Sequence, residues 1–370
     1  MMPTLHFTEG DWERVERDTM AWWAGELERP LVYLAVTDLL PQTPYRFLSN
    51  YPLRMAVEEV IDRYEPVLEA TRYYGDAFPW WWINFGPGIA AGFLGAQVHS
   101  VTASSETVWF SPTRKVAIED LELAYDAENV WWRRVKALTA AAVQRFGGQL
   151  AVSHTDLGGN LDILASSLGT QRLLLDLVDH PAEVERLVSC ITALWLRYYD
   201  ELDALIRPTC RGTSCWTPIW STGRTYMLQS DFSYMISPDM FERFVLPDLL
   251  ACCEHLEHGF YHLDGKGQIP HLDHLLAIPR LRGIQWIPGD GQPPPHAWLP
   301  LLKRIRDGGK LCQVFVTPAG ARTIVQNLGG RGFMLVISDS EEMFLDPQRA
   351  EGFLKTLAQE DLSLTTHCLV

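Results

Sequence analysis

The chain is expected to fold as an α/β protein, a (β/α)8 barrel with extra N-terminal helices. Three observations lead there. Strand-like and helical periods alternate from end to end, each strand-like segment is followed by helical spacing, and polar residues collect where the strands stop. One domain is expected over residues 1–370, with 1–30 as an N-terminal helical extension carrying Trp12, Trp22 and Trp23 on a helical pattern outside the barrel. No internal repeat, low-complexity tract or linker argues for a second domain.

The elements follow in order. Leu31 to Val36 reads as the first strand. Residues 52–74 carry Met55, Val57, Val60, Ile61, Tyr64 and Leu68 close to helical spacing. Ala77 to Phe85 is an aromatic second strand, followed by a Gly/Pro loop and a hairpin around Thr107-Val108-Trp109-Phe110. A helix over 127–146 precedes a third strand, Gln149 to Ser153. Short helices follow Gly158-Gly159, and Pro181 starts a long one whose stripe of Val184, Leu187, Val188, Ile191, Leu194, Trp195, Tyr198 and Leu202 is core. Gly212 to Trp216 is the fourth strand, and 238–258 a helix. Phe260 to Leu263, Leu281 to Ile287, Lys310 to Val316 and Gly332 to Ile337 complete the eight.

Composition narrows the function. Hydrophobic residues make up 47% of 370, enough for a large core. The formal charge of −15, with no cluster of Lys and Arg, argues against nucleic acid or an anionic membrane as partner and points to a small-molecule substrate. The 7 cysteines include no Cys-x-x-Cys pair and sit in apolar segments, so they read as reduced thiols. No signal peptide and no apolar stretch of membrane-spanning length is present, which favours the cytoplasm.

The chemistry is expected at the strand ends. In Gly259-Phe260-Tyr261-His262-Leu263-Asp264-Gly265, an imidazole and a carboxylate two positions apart share one face of a strand and can share one ligand. Other strands end in Trp82 and Asn84, in His154 and Asp156, in Trp216 and Trp220, in Gln285 and Trp286, and in Ser338-Asp339. Each has a plainer reading. Asp156, ahead of Gly158-Gly159, is either a cap of the next helix or a ligand contact, and a single histidine such as His154 is more often structural. The chain holds 14 tryptophans, and those near strand ends either pack the core or wall an apolar pocket. Such a wall suits an aromatic methyl ether by stacking or a methylated ammonium group by cation–π attraction.

The segment Gln229-Ser230-Asp231-Phe232-Ser233-Tyr234-Met235-Ile236-Ser237-Pro238, with Phe241, Phe244 and Leu246-Pro247 after it, resembles the mid-chain signature of the uroporphyrinogen decarboxylase superfamily. The order of parts agrees over most of the chain. The resemblance implies a (β/α)8 fold and either porphyrinogen decarboxylation or cobamide-dependent methyl transfer. In the methyltransferases a His-x-Cys pair after the fifth strand and a Cys after the eighth bind a zinc ion that activates a thiol. His262-Leu263-Asp264 falls on the first of these motifs and Ser338-Asp339 near the second.

The departures separate the two activities. Arg29-Pro30-Leu31-Val32-Tyr33 keeps the family's opening but continues without the arginines that grip a polycarboxylate, and Trp80-Trp81-Trp82-Ile83-Asn84-Phe85 stands where the decarboxylases carry their central carboxylate. Heme-pathway decarboxylation is therefore disfavoured. The methyltransferase reading stays, with His262, Asp264 and Asp339 as metal ligands, a harder set suited to zinc with oxygen ligands or to another divalent ion. A corrinoid would sit on a separate protein. Without a metal, His262 would act as general acid or base, oriented by Asp264 or Asp156. The expected catalytic groups are thus His262, Asp264, His154 and Asp156. The expected substrate contacts are Trp82, Asn84, Trp216, Trp220, Gln229, Asp231, Tyr261, Gln285 and Trp286. Two alternatives remain: a decarboxylase or lyase for a smaller acid held by Arg224 or Lys266, and a non-catalytic binding protein on the same barrel.

Overall fold

The computed structural model describes residues 5–37, 52–99, 107–338 and 341–367. Helix α1, Glu9–Trp23, opens on a capping box in which Thr8 and Asp11 satisfy each other's backbone N–H groups. It leads to β1, Leu31–Thr37, then α2, Val57–Ala70, and β2, Thr71–Gly75. Next come β3 (Trp80–Trp81), α3 (Ala90–Phe93), the pair β4 (Gln97–His99) and β5 (Trp109–Ser111), α4 (Val130–Phe146) and β6 (Ala151–Val152). Three helices follow, α5 (Asn160–Leu168), α6 (Thr170–Asp179) and α7 (Pro181–Ile206). Short strands β7 (Thr213–Ser214), β8 (Trp220–Ser221) and β9 (Thr225–Leu228) precede α8 (Pro238–Phe244) and α9 (Leu246–His255). The C-terminal part alternates β10 (His258–Asp264), α10 (Leu272–Ala277), β11 (Leu281–Ile287), α11 (Leu299–Asp307), β12 (Leu311–Val316), α12 (Pro318–Leu328), β13 (Phe333–Ile337) and α13 (Pro347–His367).

The centre is a mostly parallel sheet in the order β2-β1-β13-β12-β11-β10-β9, where only β2 runs antiparallel, beside β1. The strands are buried nearly throughout, as in Phe333-Met334-Leu335-Val336-Ile337, because helices cover a parallel sheet on its outer face. First strand and last strand pair, β1 on β13. β3 and β6 pair in parallel apart from this sheet. Isolated hydrogen bonds rather than ladders span the seams, among them Asp76 N–H to the Val32 carbonyl at 2.7 Å, His154 N–H to the Ser214 carbonyl at 3.1 Å, and Thr225 N–H to Thr213 Oγ1 at 3.2 Å. Among the described residues the ladders do not run continuously around the whole set.

Several sequence expectations shift. The helix expected over 52–74 ends at Ala70, and its last residues form β2 instead. The second strand shrinks to Trp80–Trp81, because Pro79 brings no N–H and Asn84 Oδ1 turns the chain by accepting from Gly86 N–H at 2.8 Å. The fourth strand, expected over Gly212 to Trp216, stops at Ser214 and folds back on β8 through a loop holding Pro218. The strand beside β10 is Thr225–Leu228, too short and too evenly buried to show alternation in sequence. The N-terminal extension contributes one helix, α1, to the described residues.

That helix seals the N-terminal ends of the strands. Trp22 and Trp23 are about 1% exposed, with ring centroids 5.9 and 5.8 Å from Phe260 at the start of β10, and Trp23 stacks on His258 at 4.5 Å. Trp23 Nε1–H donates to the Trp220 carbonyl at 2.9 Å, and Trp12 packs on the Trp220 ring at 6.1 Å. Arg29 then ties α1 to the sheet, bridging Asp18 at 2.8 Å and Asp76 at 2.7 Å. Trp23→Ala opens a cavity and orphans a carbonyl, so a loss of about 3–5 kcal/mol is expected, read from urea denaturation; a loss under about 1 kcal/mol would show that α1 is not part of the core.

Candidate active site

Period-two alternation along β10 sends His262 and Asp264 to the same side, with His262 Nε2 3.8 Å from Asp264 Oδ2. The positive φ of Gly265, +76°, lets the chain turn immediately after Asp264, and its N–H donates to the Ile287 carbonyl at 2.7 Å. A third side chain with a donor atom arrives from the end of β9. There Gln229-Ser230 leads into a 3-10 turn, Asp231–Met235, and Asp231 joins the pair so that one ligand atom from each of Asp231, His262 and Asp264 lies within 4.8 Å of the others.

The position of Asp231 is set by a residue that the sequence did not bring forward. Asp162, in the first turn of α5, accepts from Asp231 N–H at 3.1 Å and from Phe232 N–H at 2.7 Å. Its carboxylate therefore caps the 3-10 turn. Glycine makes this approach possible, since a Cβ on Gly159 would lie 2.1 Å from the Gln229 carbonyl. The available signal was an acid three residues after Gly-Gly, which by itself reads as ordinary helix-start charge.

Electrostatics at the cluster are strained. Asp231 reaches solvent, yet enough protein surrounds it to push its carboxyl up to about 6, first by lost solvation and then by the charge of Asp264. Asp162 is pushed up to about 7 by burial and then by Asp231. Burial lowers the imidazole of His262, against the opposing charge of Asp264, so the ring is neutral near pH 7. Its Nδ1 is bonded to Oε1 of Gln285, which leaves Nε2 on the carboxylate side.

The other expected site residues are placed as follows. Trp216 stands edge-to-face on His262 with centroids 5.1 Å apart, its Nε1–H held by the Met227 carbonyl at 3.0 Å. Gln285 lies behind His262 as its bonding partner. Gln229 is buried and donates to Asp156 Oδ1 at 3.2 Å, while the same oxygen accepts from Gly158 N–H at 2.9 Å. Trp82 is half-buried just past β3 and stacks on Trp80 at 6.5 Å; Asn84 is buried in its turn. The remaining four face other layers. His154 is fully buried and stacks on Tyr199 of α7 at 4.4 Å, where burial lowers its imidazole to about 4. Tyr261 points away from its neighbour His262 and donates to Gln268 at 3.1 Å. Trp286 packs on Trp298 at 5.1 Å, and Trp220 belongs to the α1 seal. Asp339 lies outside the described residues.

No protein-family model matches the chain, and no curated protein matches it in sequence. Among solved structures, a methyltransferase from Methanosarcina mazei superposes with a TM-score of 0.62 at 11% identity, over 92% of this chain and 99% of that one. The likeness is one of fold. A B12-independent methionine synthase from Shewanella sp. W3-18-1, in complex with selenomethionine, reaches a TM-score of only 0.35 at 11% identity over 75% and 76% of the two chains, too low to bear on the comparison. Among the described residues no helix is long and apolar enough to cross a membrane.

Asp156 makes a pH test possible outside the Asp231-His262-Asp264 cluster. Burial raises its carboxyl to about 8, while the unfolded chain holds it near its ordinary value of about 4. Folding therefore takes up a proton between those values, and this group's contribution to stability falls as pH rises from about 4 to about 8. Asp156→Asn keeps both acceptor contacts and removes the titration. In chelator-treated protein its melting temperature should exceed that of the wild type at pH 8 and above, the gap closing toward pH 5; parallel melting curves across pH would contradict the assignment.

Proposed function

We propose that the chain is a methyl-transfer enzyme, a member of the uroporphyrinogen decarboxylase-like barrels, which takes a methyl group from a small methylated substrate, an aromatic ether or a methylated amine, and passes it to a corrinoid on a separate protein. The reading treats the parallel strands as one (β/α)8 ring whose C-terminal ends carry the site. One observation carries it: Asp231, His262 and Asp264 converge at the ends of adjacent parallel strands, in a fold shared over 92% of the chain with a methyltransferase.

The residues fit a divalent ion. A neutral imidazole with Nε2 toward two carboxylates is a nitrogen-and-oxygen donor set, and ligands about 2.1 Å from a tetrahedral ion lie about 3.4 Å apart, close to the 3.8 Å between His262 and Asp264. Zinc with oxygen ligands or another hard divalent ion suits this set better than a thiolate-preferring one. Such an ion, when bound, supplies a Lewis acid for the heteroatom that gives up its methyl group. The chain's own residues do the positioning. Trp216 limits rotation of the His262 ring and walls the approach to it, and the capped turn at Asp162 holds Asp231 at the rim. Arg224, a carboxylate holder in the lyase alternative, sits at the start of β9 on the opposite end of the strand, 3.6 Å from Asp200 and Asp203. Its place removes Arg224 from that alternative, whereas Lys266, two residues after Asp264, stays at the site end of β10.

The test is turnover by His262→Ala and Asp264→Ala, using methylated ethers and amines with a reduced corrinoid acceptor. Both variants should unfold cooperatively and lose roughly 100-fold or more in kcat/KM. Wild-type rates in both would contradict the proposal. Carbon dioxide release from a small carboxylic acid without any corrinoid would replace it with the lyase.

A further inference from the structure

A single row of side chains crosses four adjacent strands behind the site. His262 on β10 is in register with Gln285 on β11, Gln285 with Gln313 on β12, and Gln313 with Met334 on β13. Register partners project to the same face, so the four side chains follow one another across the sheet. Each touches the next: His262 Nδ1 bonds Gln285 Oε1, Gln285 Nε2 donates to Gln313 Oε1 at 2.6 Å, and Gln313 Nε2 donates to Met334 Sδ at 3.3 Å. Thr217 lies beside the row, accepting from Gln285 Nε2 at 3.4 Å and donating to Gln313 Oε1 at 3.1 Å. Gln285, Gln313, Met334 and Thr217 are all at most 2% exposed.

The row has a direction, and its far end sets it. A thioether can accept a hydrogen bond but cannot donate one. Gln313 must therefore turn its NH2 toward Met334 and its oxygen toward Gln285 and Thr217. Gln285 then turns its NH2 to Gln313 and its oxygen to His262. An oxygen facing Nδ1 requires the proton there, which leaves the lone pair on Nε2, the nitrogen 3.8 Å from Asp264. We propose that Gln285 and Gln313 are positioning residues that fix His262 as the Nδ1–H tautomer and so present a bare Nε2 to the site, with Met334 setting the polarity of the row.

The use made of that nitrogen rests on the methyl-transfer reading above, but the tautomer does not. A histidine that binds a metal commonly gives its other ring N–H to an outer partner, and loss of the partner costs about 10–100-fold in metal affinity. The unusual feature here is that the partner is a neutral amide whose orientation is itself dictated by two further strands. A flipped amide would offer NH2 to Nδ1 and move the proton to Nε2.

The experiment is a two-dimensional 1H–15N spectrum of the histidine rings in the full chain, without metal or substrate, which distinguishes the two tautomers through their ring-nitrogen shifts. His262, assigned by comparison with His262→Ala, should carry its proton on Nδ1. In Gln285→Leu and in Gln313→Leu the Nε2–H form should become a major species, and Gln285→Glu, which keeps an acceptor at Nδ1, should restore the wild-type signature. Zinc affinity should drop about 10-fold or more in Gln285→Leu and recover in Gln285→Glu. A wild-type His262 protonated on Nε2 overturns the inference, and this outcome is readable even if the leucine variants fail to fold. An unchanged tautomer in folded Gln285→Leu overturns it as well. The expected tautomer in a chain that takes up no zinc would support the row while removing the metal from the proposed function.

Discussion

A neutral imidazole nitrogen held against two carboxylates is an arrangement of electron-rich atoms that repel one another. Two like unit charges about 4 Å apart repel by about 1 kcal/mol in bulk water and by about 4 kcal/mol in surroundings of intermediate polarity. Solvent at exposed Asp231 keeps its share toward the lower figure. The arrangement is relieved by a proton or by a cation; the carboxyl of Asp231 is raised first by lost solvation and then by the charge of Asp264. A fold that maintains such a cluster holds it in place by other interactions, and the architecture around the site supplies them.

Those interactions come from three directions. From below, the tryptophans of α1 pack the N-terminal ends of the strands and leave the C-terminal ends free for polar groups. From the side, the close approach of Gly159 to the Gln229 carbonyl lets Asp162 cap the turn that carries Asp231. From behind, the buried amides of Gln285 and Gln313 occupy sheet positions that aliphatic side chains would otherwise fill. A buried amide costs stability unless its donors and acceptors are paired, and here each finds a partner within the row. The net charge of −15 adds a field that favours cations throughout.

Much of this was legible from residue order. The C-terminal half, where strands are long and each is followed by a helix, matched its period closely, and His262-Leu263-Asp264 stood out because alternation along a strand is a strong local rule. The middle was harder. Two-residue strands such as β6 and β7 carry no period, and the buried Thr225–Leu228 segment has no polar face to alternate against. Which way a strand-end side chain turns also decided much: Trp286 and Tyr261 lie one position from Gln285 and His262 and face the opposite layer. Asp231 was read as a substrate contact, and its convergence with His262 depended on a turn that only three-dimensional contact reveals. Besides Asp162, a second overlooked local signal was Gln313, a lone amide inside Leu311-Cys312-Gln313-Val314-Phe315-Val316, in step with Gln285 on the preceding strand.

The claim on which the functional account depends is that Asp231, His262 and Asp264 together hold one divalent ion. Titration of the chelator-treated chain with cobalt(II), followed by its visible absorption, addresses it directly. The account predicts saturation at one equivalent, bands of a low-symmetry nitrogen-and-oxygen site without sulfur charge transfer, displacement by zinc, and loss of the signal in Asp231→Asn combined with His262→Ala. Absence of a saturable cobalt spectrum in the folded wild-type chain, or an identical spectrum in the double variant, would contradict it.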